Sequence, residues 1–215
     1  MTRSNKMLLT AGIIAGPLWI VLSYAQAFTR EGFDIVRHPA SLLAQGDFGW
    51  LQVTAFVIAG ALYGASAIGL KRTLTGIGQT WAPIMLGIFG IGMIIGGVFR
   101  ADPALGFPPG TPLGIPDTVS VSSQIHGSAP ILAFIALTAC FFILAKRFFN
   151  QGKTYLAWAS ILIGIGSIVL SNIPAMTADM EVGLFNFIPL WIGATVAFLW
   201  VSVILSKIKM EYTQN

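Results

Sequence analysis

Charge is scarce in this chain. Of 215 residues, 12 are Lys or Arg and 8 are Asp or Glu, 9% together. A soluble domain carries about 25% charged residues, so these twenty charges cannot cover a soluble surface. Cysteine is scarcer still. Cys140 is single and stands in an apolar run, which excludes a disulfide framework and any CxxC metal or redox motif. Histidine occurs twice, at His38 and His126. No Walker A, dinucleotide fingerprint, HExxH or GxSxG string is present. The formal charge of +4 does not read as a nucleic-acid surface, because the bases sit in small groups between apolar runs.

What is abundant is hydrocarbon: 55% hydrophobic residues and a mean hydropathy of +0.80. Six uncharged runs reach the roughly 20 residues a helix needs to cross a bilayer: Met7–Phe28, Gly49–Leu70, Trp81–Phe99, Ile125–Ala145, Thr154–Pro174 and Leu184–Ser206. In lipid each must be a helix, since unpaired backbone groups find no water there. The fold expected is all-α, one six-helix transmembrane domain over residues 1–215. Arg3, Lys6 and the Ala25-Gln26-Ala27 string imitate a signal peptide, but the apolar stretch exceeds the usual h-region. A retained first helix is expected.

Nine of the twelve bases lie at the N-terminus, the second and fourth loops and the tail, while the first, third and fifth loops hold Arg30, Arg37 and Arg100. The positive-inside rule then places both termini in the cytoplasm. Seven of the eight acids fall in the opposite loops: Glu31, Asp34, Asp47, Asp102, Asp117, Asp179 and Glu181. The outer face is therefore the chemically busy one. Two of its loops, Thr29–Phe48 and the Pro-rich Arg100–Gln124, are about twenty residues or more, a length at which loops are usually functional. The prolines predict a semi-rigid cap over the helix ends.

Polar side chains inside the helices crowd toward the same outer ends. Gly12, Gly16, Trp19, Ser23 and Gln26 share one stripe, as do Ser160, Gly164, Ser167 and Ser171. Small residues at these spacings, like the pairs Gly12/Gly16, Gly60/Gly64 and Gly92/Gly96, let helices approach closely, within the bundle or between copies of the chain. Pro17, Pro130 and Pro189 are expected to kink their runs. Ionisable groups at membrane depth face a cavity or a partner. One structural reading of them is an interfacial ion-pair network, Arg37 and Arg100 against Asp34, Asp47 and Asp102. Three chemical readings stand beside it. Asp102, His126 and His38 supply a two-His, one-carboxylate set of the kind that holds Zn²⁺, without diagnostic spacing. Ser41 or Ser128 with a histidine and an Asp supplies the parts of a triad. Two histidines are also the number of axial ligands that haem takes, but both lie in or beside outer loops.

The strings GFDIVRHPASLLAQGDFGWLQVTAFVIAGALYGASAIGLKR and GVFRADPALGFPPGTP, with His126 opening the fourth span, resemble the bacterial membrane-protein family called domain of unknown function 998. The resemblance covers essentially the whole chain. It implies a six-helix integral membrane protein and brings no reaction, substrate or cofactor. It singles out Arg37, His38, Ser41, Asp102 and His126 as lying in the family-like strings.

The function expected is binding of a lipid or other amphipathic small molecule in an outer-leaflet pocket. Its polar mouth would draw on His38, Arg37, Ser41, Asp47, Arg100, Gln26, Gln52 and Asn172. One alternative is an outer-face hydrolase or transferase with His126 as base and Asp102 as its orienter, metal-assisted or not. Another is a helix-packing partner of a second membrane protein. No paired repeats are visible and the polar groups avoid the midplane, which argues against alternating-access transport. In all readings the partner is the bilayer and not nucleic acid. His126 is expected near Asp102, lining an outer cavity.

Overall fold

The computed structural model describes residues 2–178 and 185–214. Each apolar run is a helix: α1 Arg3–Thr29, α2 Gly49–Thr73, α3 Trp81–Val98, α4 Val121–Asn150, α5 Thr154–Met176 and α6 Ile188–Gln214. All six are long and apolar enough to span a membrane. Asp179, Glu181 and the expected start of the last span at Leu184 lie outside the described residues.

The helices outrun the apolar runs where polar caps allow it. Helix α4 starts at Val121 rather than Ile125, because the Ser120 hydroxyl accepts the Ser123 N–H at 3.1 Å. That satisfies one of the donors a helix start leaves unpaired. Pro17 and Pro130 are inside α1 and α4. Pro189, expected to interrupt a run, instead sits in the first turn of α6, where its missing N–H costs nothing.

The helices pack in chain order, and α6 closes the ring on α1. Glycine decides how closely they do so. A Cβ on Gly60 would stand 2.5 Å from the Gly90 carbonyl oxygen, and one on Gly90 would stand 2.7 Å from that of Gly60. Both are impossible contacts, so α2 and α3 touch backbone to backbone there. Gly16 abuts the Phe198 carbonyl of α6 in the same way, at 2.7 Å. Two members of the spaced pairs behave differently: Gly64 and Gly96 face open space.

Inside the ring, aromatic side chains from four helices fill the centre. Tyr63 lies 5.0 Å from Phe89, Phe89 5.4 Å from Phe198, and Phe198 5.0 Å from Trp19, between ring centroids. Helix α5 packs on α4 and α6 at the periphery. Phe28, Phe48 and Trp50 are exposed around the end bearing the long loops, and Trp81, Tyr155 and Trp158 around the other. These are the interfacial belts expected where a bundle meets headgroups. The short-loop face is laced shut. Arg147 donates to the Thr75 and Ile77 carbonyls and to the Tyr212 hydroxyl, and Lys153 pairs with Glu211 at 2.6 Å.

Candidate ligand cavity under a two-loop cap

Residues 30–48 and 100–120 fold against each other over the helix ends. Gly32, at φ +77°, turns the chain so closely against Pro109 that a Cβ would lie 2.9 Å from its ring. Leu42, Leu105 and Phe107 form a small buried core, with the Phe33 ring edge-on to Phe107 at 5.2 Å. The Arg30 guanidinium donates to the Leu43 and Gln45 carbonyls and lies 5.0 Å over the Phe107 ring. Burial pulls the Arg30 pKa down, and the Asp47 charge pushes it back up. The Gln45 amide in turn donates to the Ala101 carbonyl.

His38 is the centre of this cap. Its Nδ1 accepts the Asp34 N–H at 2.9 Å, and its Nε2 meets the Leu105 carbonyl, also at 2.9 Å. A carbonyl only accepts, so Nε2 carries the proton and the ring is neutral. The His38 carbonyl accepts the Trp191 indole N–H at 3.0 Å, which ties the cap to α6. Leu105 holds φ at +57°, a left-handed conformation that non-glycine residues rarely adopt, at a cost of about 1–2 kcal/mol. That strain sits on the residue whose carbonyl His38 reads. Burial lowers the His38 pKa, partly offset by the Leu105 carbonyl and the Asp34 charge.

His38 therefore has no ring nitrogen left for a ligand or a metal. Among the described residues, no three His, Cys, Asp or Glu side chains come together. The expected His38–Asp102–His126 set is not assembled, because each group already serves the backbone or a cap.

His126 and Asp102 likewise have separate partners. The Asp102 carboxylate accepts the Ser120 N–H at 2.8 Å and the Ser120 hydroxyl at 2.6 Å. It thus holds the residue that caps α4, and those bonds keep its carboxyl below the usual range. His126 Nδ1 faces the Gly96 carbonyl at 3.0 Å and the Phe99 carbonyl at 2.8 Å, at the end of α3. The group orienting His126 is thus a pair of backbone carbonyls, not Asp102. Both carbonyls lack helical partners at a helix C-terminus, which is why a histidine one turn into the next helix is drawn to them.

His126 does line a cavity. A partly open space of about 130 Å³ lies among α1, α2, α3, α4 and α6, roofed by Pro39, Ala40 and Ser41. His126, Gly96 and Trp191 border its cap end, and Trp19, Phe89 and Phe198 its deeper end. Among the described residues, no Lys, Arg, Asp or Glu touches it. Pro130 is exposed and Phe134 and Leu190 are half-buried, so the wall between α4 and α6 is its thin side. Trp19 is 3% exposed, yet its indole N–H has no partner among the described residues.

The other expected mouth residues scatter. Gln26 and Asp47 border a separate open vestibule of about 710 Å³ with Arg30 and Glu31. Gln52 is fully buried, bonded to Gln26 at 2.9 Å and Ser23 at 3.0 Å, and joins α1 to α2. Asn172 is exposed and donates to the Ile168 carbonyl of its own helix at 2.8 Å. Arg37 is half-buried and Arg100 exposed. Among the described residues neither is within 4.0 Å of a carboxylate, so the expected ion-pair network is absent there. Arg30 takes the structural role, and it does so through carbonyls. Arg30, Trp19, Trp191 and Leu105 were not among the expected site residues. The signal available for Arg30 was its position at a helix end in a loop rich in buried apolar residues.

A family model described as a protein of unknown function (DUF998) matches residues 13–207. The chain belongs to the DUF998 family. The match runs from α1 into α6 and includes both cap loops, His38 and His126. No curated protein and no solved structure matches the chain. This DUF998 member is a bacterial multi-pass membrane protein, and its own geometry must supply any functional reading.

Proposed function

We propose that this DUF998 protein holds the hydrocarbon part of an amphipathic molecule, a lipid or a lipid-derived small molecule, beneath its cap in the outer leaflet. The observation that carries this is the cavity itself, without charge among the described residues that line it and apolar along its depth, with His126 and Ser41 at the cap end. That is the usual make-up of a ligand site: hydrophobic walls and a few placed polar groups. Its volume of about 130 Å³ is near the roughly 150 Å³ of a dry cavity that takes a benzene-sized guest. The guest is then one chain end or ring, not a whole phospholipid. The remainder would pass out through the thin wall between α4 and α6 into the bilayer.

The test is mass spectrometry of organic extracts from the full chain purified in mild detergent. Gly96→Leu is the informative variant, because a Cβ at Gly96 meets nothing within 4 Å and the new side chain fills the cavity. The wild type should retain a chain-bearing amphiphile that the variant loses. Equal retention in both, or none in either, would overturn the proposal.

One observation favours a second reading, acyl or group transfer: Ser41 and His126 border the same space. It predicts labelling of Ser41 by a fluorophosphonate, abolished in His126→Gln. Ser128 does not enter it, since that hydroxyl is exposed and donates to the Ile125 carbonyl at 2.9 Å.

A further inference from the structure

We infer that the guest of this cavity is a long-chain alcohol, a hydrocarbon ending in a neutral hydroxyl, rather than a charged lipid or an ester; the inference rests on the cavity reading above. His126 sets the first condition. Its Nδ1 faces two carbonyl oxygens, at 3.0 and 2.8 Å, so Nδ1 bears the hydrogen. In the neutral ring Nε2 is then a bare acceptor, and among the described residues it has no partner. An accessible, unpaired acceptor on a residue that lines an otherwise apolar site is matched best by a donor from the guest.

Ser41 sets the second condition. It lines the same space and its hydroxyl makes no hydrogen bond among the described residues, which leaves it able to donate to a guest oxygen. A hydroxyl has one hydrogen to give and two lone pairs to receive, which matches one acceptor and one neighbouring donor. An ester or ether only accepts and would leave His126 Nε2 unmatched.

Charge sets the third. Among the described residues no ionised side chain lines the cavity, and of the three arginines in the cap loops Arg30 is committed to the Leu43 and Gln45 carbonyls while Arg37 and Arg100 are not lining residues. A carboxylate, phosphate or ammonium placed there would be buried without a counter-charge, which costs far more than any hydrogen bond returns.

Equilibrium binding of radiolabelled 1-hexadecanol, methyl palmitate and palmitate to the full chain in nanodiscs tests this. Hexadecanol should bind about tenfold more tightly than either of the others, the ratio expected for one matched hydrogen bond. His126→Phe keeps a ring but removes the acceptor, and should bring the alcohol down to the ester's affinity while leaving the ester unchanged. Because that variant also strips two carbonyls of their donor, Ser41→Ala serves as the second, milder probe and should narrow the ratio. Equal binding of the three probes, or an alcohol preference that survives both substitutions, would overturn the headgroup inference and leave the cavity reading standing. Binding of none of them, or binding that Gly96→Leu does not reduce, would overturn both.

Discussion

The His38 ring donates from Nε2 to the Leu105 carbonyl at 2.9 Å, joining two loops whose contacting residues lie 67 positions apart. This one bond links the roof of the cavity to the Pro-rich loop, and the His38 carbonyl carries the link on to Trp191 of α6. His38→Ala removes both ring bonds and leaves the buried Leu105 carbonyl unpaired, while the Asp34 N–H, on an exposed residue, can turn to water. The orphaned carbonyl costs about 1–3 kcal/mol. Thermal unfolding in detergent should show a marked drop, with hydrogen exchange accelerated first in residues 101–116. Unchanged protection there would refute the role assigned to His38.

The same residue sets a pH dependence. Burial lowers the folded pKa of His38, against Asp34, which raises it, and with Arg37, which lowers it further. Well above the unfolded value of about 6.5 both states are neutral at this site and stability is full. As pH falls below that value, the unfolded chain takes up a proton that the folded chain resists, so stability falls. It levels off only below the folded pKa. The melting temperature should therefore decline from pH 7 toward pH 5, and the slope should be shallower in His38→Gln.

Asp102 and Ser120 should matter for stability and not for ligand. Ser120→Ala removes the cap of α4 and should cost about 1 kcal/mol, while the amphiphile co-purifying with the protein stays at the wild-type level. Loss of the amphiphile in Ser120→Ala at a temperature where the protein remains folded would bring the Asp102 corner back into the site.

Two glycines in one helix make a controlled pair. Gly60→Ala pushes a methyl into the Gly90 backbone, whereas at Gly64 a Cβ meets nothing within 4 Å. The first should destabilise at the upper end of the roughly 1–3 kcal/mol typical of overpacking. The second should be neutral or slightly stabilising, because alanine favours helix over glycine. Comparable losses in the two variants would contradict the close α2–α3 contact.

Membrane orientation follows from the distribution of bases and is open to direct measurement. Reporters fused after Lys6, Arg72, Lys153 and Lys209 should all read cytoplasmic, which puts the cap and its cavity on the far side. A periplasmic signal at any of the four would break the assignment.

The six spans and most of their approximate ends were legible in the sequence because lipid leaves so few choices. An uncharged run of about 20 residues has one low-energy form in a bilayer, and stripes such as Gly12, Gly16, Trp19, Ser23 and Gln26 turned out buried along their whole length. The partners of polar groups were not legible. His126 and Asp102 look like a pair in sequence, yet each found a nearer obligation: His126 to the two carbonyls that end α3, Asp102 to the serine that starts α4. Backbone carbonyls and N–H groups at helix ends are anonymous in a sequence, since every residue carries them. Only the folded chain decides which are left unpaired and which side chain reaches them. The cavity belongs to the same category, for it is bounded by residues from five helices and a loop whose spacing along the chain carries no trace of their meeting.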